Sequence, residues 1–154
     1  MNKKMIRYSF ITVILVLIGL VYFGFSEYNR KHKDVSDAVA SFNTTGESII
    51  REFTADEQSA NTKYLDKIIE VSGIVKSIDK DDAGSVTVVL GNPSDISSIR
   101  CNIDSAHSDE TTGLQKNIPV TIKGVCTGFN ADELLGSDLI LNRCSINKNK
   151  NESK

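Results

Sequence analysis

Asp104, His107, Ser108 and Asp109 bring carboxylates, an imidazole and a hydroxyl into one short stretch, the groups from which a nucleophile, its base and an orienting acid are built. Nothing nearby orders them into those roles, and the other histidine, His32, lies far away in a polar segment. The chain has no G-x-S-x-G, H-E-x-x-H or phosphate-loop pattern, so a solvated loop is the expected reading and neither a reaction nor a cofactor is anticipated. Asp79, Asp81 and Gly84 match positions one, three and six of a calcium loop, but position five is Ala83 and position twelve is Leu90. Two essential oxygen donors are therefore missing, and a hairpin turn with no metal is expected. Cys101, Cys126 and Cys144 are spread through the chain without a C-x-x-C spacing that would lower a thiol pKa, so they form no redox centre.

The elements that would position these groups are strands. In Ile68–Ile78, Ile69, Val71, Gly73 and Val75 alternate with Ile68, Glu70, Ser72, Ile74 and Lys76, the pattern of a strand with one buried side. Gly73 falls where a long strand serving two sheets would bend. Ser85–Gly91 reads as the second strand and Ser97–Ile103 as the third, with Ile99, Cys101 and Ile103 on one face. Ser108–Gly113 is a short helix or loop crossing to Ile118–Gly128, the fourth strand, whose inner face carries Val120, Ile122, Gly124 and Cys126. Asp138–Ile146 is the fifth, and residues 147–154 form a polar tail. The barrel so defined covers residues 66–146.

Residues Tyr8–Ser26 carry no charge, and nineteen residues at 1.5 Å each span about 28 Å, close to a bilayer's hydrocarbon thickness. This predicts a membrane anchor. Basic residues flank both ends, and a seven-residue tail too short to be a domain places the amino terminus (1–7) in the cytoplasm. The bulky Val21–Ser26 boundary argues against a cleaved leader. The globular part is then extracytoplasmic, on the outer side of the cytoplasmic membrane. Residues 27–44 are polar and read as a stalk or linker. Thr44-x-x-Glu47 and Thr54-x-x-Glu57 are capping boxes, so residues 45–65 should form two short helices, or one helix broken near Thr54, packed as a lid on the barrel.

A crossover between the third and fourth of five strands, with glycines in the first and fourth, describes an OB-fold, mainly β with accessory helices. In that fold strands three and five run parallel with Cys101 and Cys144 near their carboxyl ends, while antiparallel pairing of strands four and five puts Cys126 near the hairpin and Cys144 near the opposite end, too far apart for a bond. If a disulfide forms, Cys101–Cys144 is the pair; three buried thiols packing as small apolar residues is the alternative. Oligonucleotide-gripping barrels use the second and third strands, which makes Thr87, Val89, Arg100 and Asn102 the candidate ligand face. No aromatic occurs between Tyr64 and Phe129, and Ile68–Ser145 holds six basic against eleven acidic residues. Stacking is worth about 1 to 3 kcal/mol per base, so a protein, peptide or glycan partner is expected ahead of nucleic acid.

The stretches Lys63–Lys67, Val71–Val75, Ile99–Cys101, Val120–Gly128 and Leu139–Cys144 resemble the bacterial tRNA_anti-like OB-fold family over nearly the whole chain. The resemblance implies a short, membrane-anchored or lipidated envelope protein whose shared residues are scaffold, with no catalytic signature. Residues Asn130–Gly136 form a longer connection than the tight turn typical before the family's fifth strand.

Overall fold

A computed structural model describes residues 34–132 and 136–147, together with Val16 and Gly19. The chain divides after Lys33, and the second unit carries the fold described below. The expected anchor, residues 8–26, and the polar tail lie outside the described residues apart from Val16, Gly19 and Asn147. Among the described residues no helix is long and apolar enough to cross a membrane.

The elements run β1 (Phe42–Thr45), α1 (Gly46–Ala55), α2 (Glu57–Tyr64), β2 (Ile68–Lys80), β3 (Val86–Leu90) and β4 (Ser98–Ile103). A 3-10 helix (Ser105–Thr111) then leads to β5 (Pro119–Asn130) and β6 (Asp138–Ile146). Five strands close in the order β2-β3-β4-β6-β5, and β2 completes the ring by pairing with β5 through Ile68–Ile74 and with β3 from Val75 onward. One long strand therefore serves two partners, as its length suggested. The irregularity that lets it turn lies between Val75 and Ser77 and not at Gly73. Gly73 serves packing instead: a Cβ there would lie 3.3 Å from the Leu90 Cβ, tight enough that Leu90 would have to give by a few tenths of an ångström.

The inward alternation holds. Ile69, Val71, Val75, Val88, Leu90, Ile99, Ile122, Leu139 and Leu141 are fully buried, each contributing about 1.5 to 3 kcal/mol by leaving water. The core extends into the helices through Ile49 and Phe53 of α1 and Ala60 and Tyr64 of α2. Phe53 stacks on Phe129 at the end of β5 with ring centroids 4.9 Å apart. Glu52 Oε2 accepts hydrogen bonds from Lys63 Nζ at 2.8 Å and the Tyr64 hydroxyl at 3.0 Å, tying one helix to the other.

Both helices form, but the caps differ from the expected Thr44 and Thr54. Thr45 Oγ1 accepts from the Ser48 amide, and Asp56 Oδ1 accepts from the Ser59 amide. Thr54 instead lies inside α1 and donates back to the Ile50 carbonyl. A short polar side chain at either neighbouring position can reach an orphan amide, so the sequence pattern leaves the cap ambiguous by a residue or two.

The linker expected over residues 27–44 is corrected from Asp34 onward. Phe42–Thr45 pairs in parallel with Ile69–Ser72, on the edge of β2 that β3 leaves free, and α1 and α2 form the crossover that a parallel pair requires. Ahead of it, residues 34–41 form a strap against the barrel's outside. Lys123 Nζ donates to the Ser36 and Ala38 carbonyls at 2.9 Å each, the Ser41 amide donates to the Ile68 carbonyl, and Val35 is buried. Glu70, which alternation places outward, is also buried, with Asn147 Nδ2 donating to its Oε2.

Candidate binding face

Alternation along β3, β4, β6 and β5 turns Thr87, Asn102, Asn142 and Thr127 outward; strand pairing sets Thr87 opposite Asn102, and Asn142 and Thr127 join them where the β4–β6 and β5–β6 registers shift. Their side chains form one directed chain of hydrogen bonds. Thr87 Oγ1 donates to Asn102 Oδ1 at 2.9 Å, Asn102 Nδ2 to Asn142 Oδ1 at 2.6 Å, and Asn142 Nδ2 to Thr127 Oγ1 at 3.1 Å. The Thr127 hydroxyl in turn donates a hydrogen bond to the Ile140 carbonyl. A primary amide has two N–H donors and two acceptor lone pairs, so each asparagine in this row keeps a second donor and a second acceptor for a ligand. Neighbouring strands lie about 4.8 Å apart, so the row presents these groups at regular intervals.

Beside the row, Arg100 Nε donates to Asp138 Oδ2 at 2.8 Å, and Asp138 Oδ1 accepts from Ser98 Oγ at 2.6 Å. Burial raises the Asp138 pKa, but the hydrogen bonds from Ser98 and Arg100 outweigh it and hold the carboxyl below its ordinary value. Asp138 in turn raises Arg100 above its ordinary value. The two charges cancel, and Arg143 lies 4.0 Å from Asp104, so this face is close to neutral. Arg143 is held at φ 56, a left-handed conformation that costs a residue with a β-carbon about 1 to 3 kcal/mol. It sits where β6 takes three residues, Asn142 to Cys144, to advance as far as β4 does in two. Asn102, Asn142, Thr127 and Arg143, with Val125 and Ile103, line a shallow open depression of about 540 Å³.

The structure places Thr87, Val89, Arg100 and Asn102 on one outward face, in the pairs Thr87–Asn102 and Val89–Arg100. Val89 is only 5% exposed, so it is floor and not a contact. Asn142, Thr127 and Asp138 were not singled out by sequence. Each follows the same alternation, but their adjacency to β4 depends on the parallel register of β6. The aromatic side chains of the described unit lie elsewhere: Phe42 and Phe129 pack with the buried Phe53 and Tyr64 at the helix-covered end. A second recess, of about 1190 Å³, runs between α1 and residues 91–97 and is lined by Ile50, Ile74, Ile96 and Arg51.

The other sequence candidates are absorbed into local structure. Asp81 Oδ1 accepts from the Ser85 amide and Gly84 adopts φ 86, a hairpin turn. Asp104 Oδ1 accepts from the Ala106 amide and Ser108 Oγ donates to the Ser105 carbonyl, so both brace the 3-10 helix, which starts three residues earlier than expected. His107 is no solvated loop residue: it is 15% exposed and lies between two carboxylates. The three cysteines are buried free thiols. Cys101 and Cys144 lie on the adjacent strands β4 and β6, and burial, with Cys101 assisting, pushes the Cys144 thiol pKa far up. Cys144 lies over Gly124, two residues from Cys126, and not at the opposite end of the hairpin, because the β5–β6 register continues past Cys144 to Ile146. Burial raises Cys126 to about 11.

The tRNA_anti-like family model matches residues 1–146. No curated protein sequence matches the chain. Among solved structures, a Klebsiella pneumoniae lipoprotein provisionally named as nucleic acid-binding superposes with a TM-score of 0.54 at 22% identity, over 70% of this chain and 93% of that one, which shows a shared fold. The asparaginyl-tRNA synthetase of Entamoeba histolytica gives 0.40 at 15% identity over 53% of this chain and 21% of its own. The aspartyl-tRNA synthetase of the same organism gives 0.38 at 12% identity over 71% and 25%.

Proposed function

The chain belongs to the tRNA_anti-like family, and from that premise we propose that it is a non-catalytic binding module that presents the outer face of β3, β4, β6 and β5 to an envelope protein, peptide or glycan. The observation that carries this reading is the row Thr87–Asn102–Asn142–Thr127, which offers uncharged donors and acceptors beside a self-neutralised Arg100–Asp138 pair. Residues 8–26 tether the module to the cytoplasmic membrane, with the amino terminus inside and the barrel outside. Support for that arrangement comes from the uncharged nineteen-residue run in the sequence. In such an oxidising compartment, a disulfide, where one forms, joins Cys101 and Cys144, a reading supported by their position on the adjacent strands β4 and β6.

The second reading, an envelope nucleic-acid binder, is favoured by the name of the Klebsiella pneumoniae relative. Against it stand the near-neutral face and the confinement of the aromatic rings to the helix-covered end. A photocrosslinking residue placed at Thr87 in the full-length protein, in its native membrane, separates the two. Recovery of a protein or glycan adduct supports the first reading. Recovery of nucleic acid alone would overturn it.

A further inference from the structure

The strap of residues 34–41 is fastened at its first residue by a three-member cluster. His107 Nε2 faces Asp34 Oδ1 at 2.8 Å, and His107 Nδ1 faces Glu110 Oε1 at 3.0 Å. A neutral imidazole has one N–H, so it can donate to only one of two carboxylates and must turn a lone pair toward the other. Only the doubly protonated ring satisfies both. The two carboxylates are not equally held: Glu110 Oε2 also accepts from the Ile146 amide at 2.6 Å, which fixes it to β6, whereas among the described residues Asp34 is otherwise bonded to Ser36 within the strap.

We propose that His107 is a proton-operated latch: its imidazolium fastens Asp34, and with it the strap, to the barrel, and loss of the proton loosens the strap. The other charged groups near the cluster do not duplicate this action. Asp104 and Arg143 face each other at the start of the same 3-10 helix, β3 contributes no charge, and Lys123 holds the strap farther along through the Ser36 and Ala38 carbonyls. The Asp34 hydrogen bond is the largest cause of a raised His107 pKa, with burial opposing and Glu110 assisting. Asp34 itself is held down at about 2, first by the Ser36 amide and then by His107, so it stays ionised throughout the range in which the ring titrates.

The grip is therefore complete below the ordinary imidazole value near 6.5 and is lost as pH rises through the raised value. The ratio of strap opening at the two ends of the titration must equal the ratio of proton affinities of His107 in the closed and open forms, about tenfold per pH unit of separation. Opening would uncover Val35 and free the Lys123 ammonium from the Ser36 and Ala38 carbonyls. The latch is independent of what the binding face recognises.

The test uses the full-length protein in detergent micelles. Hydrogen exchange of peptides covering residues 34–41, corrected for intrinsic rates, is read from about pH 5.5 to about pH 8.5, alongside the His107 ring titration by NMR. Protection of the strap should fall along the His107 titration curve while that of β2 and β5 stays constant. His107→Gln should remove the pH dependence, and Asp34→Asn should bring the ring's titration down toward its ordinary value. A wild-type strap whose protection does not change with pH, or an Asp34→Asn protein whose His107 titrates as before, would overturn the latch. The second measurement decides the matter even if His107→Gln does not fold.

Discussion

Asn102 and Asn142, forty residues apart in sequence, lie side by side on the parallel strands β4 and β6 with Asn102 Nδ2 donating to Asn142 Oδ1 at 2.6 Å. The pair is the centre of the outward polar row, and everything proposed about recognition passes through it. Replacing Asn142 with alanine removes an acceptor for Asn102 and a donor to Thr127 together. Because these groups are open to water, stability should fall by only about 0.5 to 1.5 kcal/mol. Recovery of the crosslinked partner should fall severalfold. A variant that keeps full partner recovery would show that this row is sheet scaffolding alone.

A β-carbon at Gly124 would sit 2.5 Å from Cys144 Sγ, with Leu141 Cβ at 3.2 Å on its other side. Gly124→Ala should therefore destabilise the barrel by about 1 to 3 kcal/mol, measured by urea unfolding. Adding Cys144→Ala vacates the sulfur's volume and should recover part of that loss. An additive double mutant would mean that the strain lies elsewhere.

Phe53 is the largest fully buried side chain among the described residues, stacked against both Phe129 and Tyr64. Phe53→Ala should cost about 3 to 5 kcal/mol by the same unfolding measurement. Truncation of an exposed α1 residue such as Arg51 should cost little. Equal effects at the two positions would mean that α1 is not part of the cooperative core.

Asp138 has a depressed pKa, so its ion pair with Arg100 contributes stability above the ordinary carboxyl value near 3.8. That contribution disappears as pH falls through the depressed value. Arg100 is half exposed, so solvent screening keeps the effect small. In acid titrations followed by thermal unfolding, Asp138→Asn should lower stability at neutral pH and lose less than wild type on acidification. Parallel acid limbs for the two proteins would remove the pair from the account.

Burial disfavours the thiolates of Cys126 and Cys144, so alkylation of the native protein should be slow and should track unfolding. Protein isolated under non-reducing conditions and alkylated in denaturant should show Cys126 as the one free thiol if Cys101 and Cys144 have bonded. Three alkylated cysteines would assign Cys101 and Cys144 a packing role only.

The sequence alone determined the five barrel strands, their inward faces, the two helices and the family, because a period of two and a capping hydroxyl are written within a few neighbouring residues. It also put Thr87 and Asn102 on one face. Tertiary structure decided what those strands meet. The strap at Asp34–Ser41 looks like polar linker because its fastenings, His107 and Lys123, are more than seventy residues away, and no local pattern encodes a bond over that separation. The row from Thr87 to Thr127 exists only once the parallel register of β4 and β6 is set. A shift of one residue in that register would turn Asn142 into the core, so its outward place depends on how the whole barrel closes.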